Sequence, residues 1–176
     1  MYYLISYFAK QFMKMKKILF AFIVLATVCI SCGKKDSPCN YNDSAVTASS
    51  SESALIQTYL TSNGITGATL HPSGFYYKVT QAGAGKAVVN LCSAVSVKYT
   101  GKLTNGTVFD QTTGTEVRSF TLGQVIVGWQ KGVPLISTGG KITLYIPPSL
   151  GYGAAAAGTI PPNSILIFDI ELVSVS

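Results

Sequence analysis

The chain has 176 residues, of which 48% are hydrophobic, and its 13 basic and 7 acidic residues give a formal net charge of +6. Four basic residues precede Cys32, which leaves nine basic against seven acidic residues, a net charge of +2, from Cys32 onward. This small charge excludes a nucleic-acid partner, because proteins that bind nucleic acids carry clustered basic residues. The remaining length predicts one domain with a tether, large enough to bury its own core.

A basic segment and then an apolar segment precede Cys32. Residues 13–17 read MKMKK and residues 18–30 read ILFAFIVLATVCI, an apolar run shorter than the roughly 20 residues that a membrane-spanning helix needs. Small residues flank the cysteine in SCG, which resembles the lipobox of bacterial lipoproteins. The pattern predicts a signal peptide over residues 1–31 and an exported mature protein. Lipid on Cys32 is expected to anchor this protein to a bacterial membrane, on the periplasmic side or at the outer membrane.

The cysteine count favours a disulfide. If Cys29 leaves with the signal peptide and Cys32 carries lipid, Cys39 and Cys92 remain. An even pair in an oxidising compartment predicts that these two are bonded, the alternative being two unrelated thiols. A metal site is not predicted, because His71 is the only histidine and no close cysteine spacing accompanies it.

The segment after the lipidation site is polar. Residues 32–53 are rich in Ser, Thr, Asn and Asp and predict a flexible tether. A short helical extension is predicted over residues 54–72, because Ser51 or Ser53 can cap a helix whose apolar stripe ends before Asn63-Gly64.

From Gly74 onward the pattern changes to strands separated by glycines. Four segments are rich in β-branched and aromatic residues and predict strands of a mainly antiparallel sheet. They are Phe75–Thr80, Val95–Thr100, Lys141–Ile146 and Ile165–Val175.

Asn105-Gly106 is a strong hairpin signal, and it predicts a type I′ turn, in which both central residues have positive φ. Phe109 and Asp110 then lie near the start of the return strand. Their place at the edge of the sheet raises the question of whether they serve the strand or line a site.

One helix is predicted within the strand-rich part, over Val127–Ser137, ending before Gly139-Gly140. Pro134 lies inside it and lacks a backbone donor, so the helix must be short or distorted. To form a core, this helix must lay its apolar side, which includes the only tryptophan, Trp129, across the sheet.

Four motifs occur in the order and spacing of one known family. They read VKYTGKLTNGTVFD, VIVGWQKG, LGYG and GTIPPNSILIFDIEL. On these motifs the chain resembles an FKBP-type peptidyl-prolyl isomerase, and with its leader it resembles an exported lipoprotein from a Bacteroidetes-like branch of that family. The resemblance implies an α+β fold over residues 73–176, in which an antiparallel half-barrel sheet wraps around one short helix, preceded by an N-terminal extension.

The resemblance also implies an apolar cleft for a prolyl residue and assigns nine residues to it. They are Tyr99, Phe109, Asp110, Val125, Ile126, Trp129, Tyr152, Ile160 and Phe168. Trp129 is expected to form the floor under the proline ring, and Tyr99 is expected to hold Asp110 beside the substrate carbonyl. The backbone N–H of Ile126 and the hydroxyl of Tyr152 are expected to reach the substrate backbone.

Two features depart from the family pattern. Arg118 stands two residues before Phe120, where the family often has an aromatic or aliphatic side chain, so one wall of the cleft is predicted to be open or polar. Residues 153–162, GAAAAGTIPP, form a short loop with small side chains. The family resemblance implies a macrolide as a further ligand, and this loop leaves the affinity for it open.

The chemistry of prolyl isomerisation suits such a cleft. The X-Pro bond has cis and trans forms of similar energy separated by a barrier of roughly 18–20 kcal/mol, and a dry apolar pocket favours the twisted amide without a nucleophile, a titrating base or a cofactor. The predicted function is therefore isomerisation of X-Pro bonds in unfolded or proline-containing polypeptides that are exported. The alternative is a non-catalytic peptide-binding or chaperone module on the same fold.

Overall fold

The structure, a computed structural model, describes residues 39–176. The predicted signal peptide, residues 1–31, and the predicted lipidation site, Cys32, lie outside the described residues. Within the described part of the chain, no helix is long and apolar enough to cross a membrane.

The first helix, α1, spans Ser50–Ser62 and begins with a capping box. The Ser49 hydroxyl accepts a hydrogen bond from the backbone N–H of Glu52 (3.3 Å), and the Glu52 carboxylate accepts one from the backbone N–H of Ser49 (3.0 Å). This reciprocal arrangement satisfies donors that the helix itself leaves free. The helix therefore begins earlier than predicted, and its cap is Ser49 rather than Ser51 or Ser53.

Residues 39–49, which belong to the predicted tether, contain no helix or strand but are attached to the rest of the domain. A disulfide joins Cys39 to Cys92, with the two Cα atoms 5.5 Å apart. The ring of Tyr41 lies so close to Gly123 that a Cβ atom on the glycine would be 2.3 Å from it. Because α1 also starts within the predicted tether, the boundary at residue 53 does not match the structure.

Within residues 39–176, seven antiparallel strands form one sheet, in the order β1-β2-β6-β7-β3-β4, with β5 also paired to β3. The strands are β1 (Thr69–Leu70), β2 (Tyr76–Gln81), β3 (Ala94–Leu103), β4 (Val108–Gln111), β5 (Arg118–Thr121), β6 (Lys141–Ile146) and β7 (Leu166–Val175). The ten-residue β3 pairs with β7 on one side and with both β5 and β4 on the other. The predicted antiparallel sheet with a short helix is confirmed, and β4 and β5 border the candidate site.

The hairpin between β3 and β4 reverses at the predicted place but with a different turn. The N–H of Gly106 donates to the carbonyl of Leu103 (3.0 Å), and the N–H of Leu103 donates to the carbonyl of Thr107 (2.9 Å). Gly106 has φ +85°, whereas Asn105 does not have a positive φ. This is a three-residue loop that closes with glycine in the left-handed region, so the predicted type I′ turn is wrong.

The second helix, α2, spans only Val127–Gly132 and continues into a 3₁₀ turn over Val133–Leu135, where Pro134 lies. Its shortness follows from the missing donor of the proline. Two glycines bring α2 against β6, because a Cβ atom on Gly128 or Gly132 would lie 2.6 Å from the side chain of Ile146 or Leu144, respectively.

Alternation along the strands gives the sheet two apolar faces. One face packs with α2 into the main core, which includes Leu144 of β6 and Phe168 of β7. On the opposite face, α1 buries Ile56 and Leu60 against a second cluster, made of Tyr76, Tyr145 and Ile167. The residues of the two clusters alternate along β6 and β7, as side chains of neighbouring strand residues must. The N-terminal helix therefore covers the outer face of the sheet.

Candidate active site

A cleft of about 610 Å³ opens between α2, the strands β3 to β5 and the loop that precedes β7. The structure brings all nine residues assigned from the sequence to this one cleft. Its lining consists of Tyr99, Phe109, Asp110, Phe120, Gln124, Val125, Ile126, Trp129, Tyr152, Ala157, Gly158, Thr159, Ile160 and Phe168.

Trp129 lies at the centre of an aromatic cluster and is 4% exposed. Its ring meets Tyr99, Phe168 and Phe120 edge to face, with centroid distances of 5.3, 5.2 and 5.8 Å. Edge-to-face pairs set the positive edge of one ring against the negative face of another, which stabilises the arrangement beyond simple burial. The indole N–H of Trp129 is buried and has no hydrogen-bond partner among the described residues.

Gly101 of β3 makes room for the outer part of this cluster. Phe109 and Phe168 meet edge to face with centroids 5.5 Å apart. A Cβ atom on Gly101 would lie 2.6 Å from the ring of Phe109 and 2.8 Å from that of Phe168. The glycine of the YTG motif is therefore required by the close approach of two rings to the backbone.

A polar rim lies beside the aromatic cluster and involves four side chains. The Tyr99 hydroxyl donates a hydrogen bond to Asp110 Oδ2. Arg118 Nη1 donates to Asp110 Oδ1 (2.7 Å) and to the Tyr99 hydroxyl (2.9 Å), and Arg118 Nε donates to Glu116 (2.9 Å). The Arg118 guanidinium carbon also lies 5.7 Å from the centroid of the Tyr99 ring. Arg118 is not among the residues that line the cleft. Its Nη2 donates to the Gln111 carbonyl (3.2 Å), so all three guanidinium nitrogens donate hydrogen bonds and the edge of the cleft next to Arg118 is polar.

These contacts fix the charge states in the rim. Burial, reinforced by the hydrogen bond to the Asp110 carboxylate, raises the pKa of Tyr99 to about 12. Burial alone would raise the pKa of Asp110, but the hydrogen bonds from Tyr99 and Arg118 and the positive charge of Arg118 hold that pKa below its ordinary value. At neutral pH, Tyr99 is a neutral donor and Asp110 an anion.

The segment before α2 supplies Val125 and Ile126. The side-chain amide of Gln130 donates to the Val125 carbonyl (2.8 Å), which braces this segment from the helix. The Ile126 carbonyl accepts from the N–H groups of Trp129 and Gln130 and thereby starts the helix. Ile126 is thus held at the helix N-terminus, facing the cleft.

The loop between β6 and β7 forms the remaining side of the cleft. Ala157 and Ile160 exchange two backbone hydrogen bonds (3.1 and 3.0 Å), and the N–H of Asn163 donates to the carbonyl of Gly153 (2.9 Å). Ile160 is 6% exposed, whereas Tyr152 is 43% exposed. Tyr152 therefore stands at the opening of the cleft, while Ile160 belongs to its interior.

Phe120 contacts Trp129 and lines the cleft, but it was not among the residues assigned from the sequence. It lies on β5, a strand of four residues without a clear alternation of buried and exposed positions. Its place at the start of the FTLG segment, residues 120–123, is the signal that could have identified it.

Comparisons with known proteins point to one family. A family model described as FKBP-type peptidyl-prolyl cis-trans isomerase matches residues 85–173. A probable FKBP-type peptidyl-prolyl cis-trans isomerase of Haemophilus influenzae is 50% identical over 107 residues, which cover 59% of this chain and 44% of the relative. FkpA of Escherichia coli K12 is 47% identical over 104 residues, 58% of this chain and 38% of the relative. The chain thus spans less than half the length of these curated relatives.

Two crystal structures have a similar fold. FkpA from Escherichia coli superposes with a TM-score of 0.64 at 40% identity, over 71% of this chain and 59% of that one. A peptidyl-prolyl cis-trans isomerase from Pseudomonas syringae pv. tomato superposes with a TM-score of 0.61 at 30% identity, over 76% of this chain and 99% of that one. The similarity to the Pseudomonas syringae structure therefore covers nearly the whole of that solved chain.

Proposed function

Because the chain belongs to the family of FKBP-type peptidyl-prolyl cis-trans isomerases, we propose that it accelerates the isomerisation of X-Pro bonds in polypeptide chains. The observation that carries the proposal is the aromatic cleft of about 610 Å³, in which the residues expected of a prolyl site meet. A cleft of this size, apolar with few polar groups at its edge, has the properties of a site for a small ring and its flanking backbone.

Catalysis requires that the cleft bind the twisted amide more tightly than the planar one. Rotation about the C–N bond breaks amide resonance and so reduces the charge separation between the amide oxygen and nitrogen. The walls formed by Trp129, Phe168 and Ile160 replace water around the bond and favour this less polar state. We assign to Trp129 the floor on which the proline ring rests.

The polar groups of the cleft position the substrate and do not exchange protons with it. The carboxylate oxygens of Asp110 already accept hydrogen bonds from Tyr99 and Arg118. Asp110 therefore supplies a fixed negative charge beside the substrate carbonyl. We assign donors for the substrate backbone to the Ile126 N–H and to the Tyr152 hydroxyl at the opening of the cleft.

An isomerisation assay on a short X-Pro peptide tests this proposal against the alternative of a non-catalytic chaperone. We expect the chain to accelerate cis-to-trans conversion, and Trp129→Leu to weaken this activity more than it weakens suppression of client aggregation. A chain that suppresses aggregation of an unfolded client, but leaves the isomerisation rate at its uncatalysed value, would overturn the proposal in favour of the chaperone.

We further propose that the protein is exported in a Bacteroidetes-like bacterium and anchored to a membrane by lipid on Cys32. Support comes from the signal-like segment before Cys32 and from the disulfide between Cys39 and Cys92, which suits an oxidising compartment. Mass spectrometry of the membrane-extracted protein should find a diacylglyceryl group on Cys32, and Cys32→Ala should give a soluble or uncleaved form. An unmodified Cys32 thiol in the mature protein contradicts the anchor.

The partners that follow from this proposal are unfolded or proline-containing polypeptides and, through the lipid, the membrane itself. A macrolide is proposed as a further ligand of the same cleft. Because Trp129 is the only tryptophan in the chain and lies in the cleft, its fluorescence should change when a macrolide binds, and an unchanged spectrum at saturating macrolide would contradict binding at this site.

A further inference from the structure

Glu52 of α1 makes hydrogen bonds to a segment 97 positions away in the sequence. Its Oε2 atom completes the capping box by accepting from the backbone N–H of Ser49 (3.0 Å). The carboxylate also accepts from Ser149: Oε1 from the backbone N–H (3.0 Å) and Oε2 from the hydroxyl (2.9 Å). Capping the helix requires only the first of these contacts, so the bonds to Ser149 need a separate explanation.

Ser149 belongs to a 3₁₀ turn over Pro148–Leu150 that lacks donors at its start. Pro147 and Pro148 have no backbone N–H, so the N–H of Ser149 is the first donor that the turn offers. The first N–H groups of a helical turn have no partner inside it. Glu52 supplies that partner as a carboxylate, and charge-assisted hydrogen bonds of this kind are stronger than neutral ones.

The turn leads directly to Tyr152 at the opening of the cleft. The carbonyl of Pro148 accepts hydrogen bonds from the N–H groups of Gly151 (2.9 Å) and Gly153 (2.8 Å), the two neighbours of Tyr152. Leu150 is fully buried and fixes the inner side of the turn. Glu52 holds its outer side. Leu150 and Glu52 therefore fix the turn from opposite sides, and the turn fixes the position of Tyr152.

The helix that carries Glu52 is itself fixed to the sheet. Ile56 is 0% exposed and Leu60 is 2% exposed, and both pack on Tyr76, Tyr145 and Ile167. A side chain mounted on a packed helix can hold a neighbouring loop in one place, as a positioning group must.

We propose that Glu52 is a positioning residue for the isomerase cleft, holding through Ser149 the turn that orients Tyr152. The inference rests on the proposed function, and it adds a residue that lies outside the segment matched by the family model, residues 85–173. It also gives the N-terminal extension a role in the reaction.

The test compares Glu52→Ala with Ser49→Ala in the full chain. Ser49→Ala removes the other half of the capping box at the same end of α1, together with the contact between the Ser49 hydroxyl and Glu52 Oε2 (3.2 Å). It leaves the partners of the Ser149 bonds in place, so it controls for loss of helix stability. We expect Glu52→Ala to speed amide hydrogen exchange at Ser149 about tenfold or more and to lower kcat/KM about two- to tenfold, because one set of hydrogen bonds no longer orders the turn. Ser49→Ala should leave both quantities within twofold of the wild-type values.

Two further variants separate positioning from folding. Glu52→Gln retains one acceptor oxygen, so it should restore part of the exchange protection and part of the activity that Glu52→Ala loses. In a Tyr152→Phe background, Glu52→Ala should lower kcat/KM by less than twofold, because the hydroxyl through which it acts is already gone.

The proposal requires that exchange at Ser149 and kcat/KM both change in Glu52→Ala and not in Ser49→Ala. A change in only one of the two, an equal change in Ser49→Ala, or the full loss persisting in the Tyr152→Phe background overturns it. A wild-type chain with no isomerase activity would overturn the proposed function instead, and exchange at Ser149 would still show whether Glu52 holds the turn.

Discussion

Arg118 Nη1 lies 2.7 Å from Asp110 Oδ1 and donates a hydrogen bond to it. Both side chains are partly exposed at the edge of the cleft, and Tyr99 bonds to each of them. The arginine thus supports the carboxylate that the family resemblance places next to the substrate.

This contact predicts how activity depends on pH. In the folded protein the pKa of Asp110 lies below its ordinary value, so the carboxylate stays ionised until the pH falls well into the acid range. The stability gained from this ionisation is present above the pKa of the unfolded state and is lost as the pH falls through the pKa of the folded state. We expect kcat/KM to vary less than about threefold between about pH 5.5 and pH 8.5, because no group titrates in the reaction. A bell-shaped profile centred near neutrality would contradict this mechanism.

Replacing Arg118 with leucine should move the acid limb of the profile. The variant removes a hydrogen bond and a positive charge from Asp110 but leaves its burial, so the pKa of Asp110 should rise and activity should begin to fall at a higher pH than in the wild type. Arg118→Lys, which keeps the charge but not the guanidinium contacts to Asp110, Tyr99 and Glu116, should raise the pKa of Asp110 less. NMR titration of the Asp110 carboxyl carbon measures the change directly, and identical titrations in wild type and Arg118→Leu would refute the assignment.

Tyr152→Phe should reduce kcat/KM only mildly. The variant removes one neutral hydrogen bond, worth roughly 0.5–1.5 kcal/mol or about a two- to tenfold rate change. Removal of a proton-transfer group would reduce the rate by about 10²–10⁴. Steady-state kinetics on a short X-Pro peptide distinguish the two cases, with circular dichroism as the check that the fold is intact.

Trp129→Ala should destabilise the protein more than any other single change in the cleft. The side chain is 4% exposed and touches three other rings, and truncating a buried tryptophan leaves a cavity that lowers the free energy of unfolding by about 3–5 kcal/mol. Trp129→Leu should retain the fold and part of the activity. Urea denaturation measures the free energy of unfolding of both variants. A Trp129→Ala variant as stable as the wild type would mean that α2 does not pack on the sheet as described.

Loss of the disulfide should destabilise the fold by about 2–4 kcal/mol, because the bond between Cys39 and Cys92 closes a loop with a sequence separation of 53 and so restricts the unfolded chain. Paired replacement of both cysteines with serine, followed by denaturant unfolding, tests this. The native exported protein should also resist alkylation at both positions. Two thiols that alkylate without prior reduction would exclude the bond.

Four of the seven strands, β2, β3, β6 and β7, were predictable because their β-branched and aromatic residues and bounding glycines are local signals. The short strands β1 and β5 were not predicted, and β4 was expected only as the return strand after Asn105-Gly106. The capping box of α1 was also visible in the sequence as Ser49-x-x-Glu52, but the run of serines from 49 to 51 and at 53 offered several caps, and only the reciprocal bond with Glu52 selects Ser49. The turn at Asn105-Gly106 was misassigned because the same dipeptide fits a three-residue loop in which only the glycine needs a positive φ.

Apart from the disulfide and the cleft, the contacts between distant segments could not be predicted. Nothing in the composition of residues 39–49 shows that Tyr41 lies on Gly123, because a polar segment of this kind has no periodicity to indicate its partner. The bonds between Glu52 and Ser149 likewise join residues 97 positions apart, and one chain alone carries no signal for such a pair. The polar cleft edge next to Arg118 was predicted only as one of two outcomes, because Tyr99 and Asp110 lie on β3 and β4.

The helix α1 also determines where the protein can be cut. A fragment that begins at residue 73 would retain every strand except β1 and all the residues of the cleft, but it would lose Ile56 and Leu60 and leave Tyr76, Tyr145 and Ile167 bare on the outer face of the sheet. An apolar patch newly exposed in this way promotes self-association. The shortest fragment that stays monodisperse should therefore include α1 and its cap. A protease that cleaves between α1 and β2 should produce material that aggregates once the disulfide between Cys39 and Cys92 is reduced and the helix can dissociate.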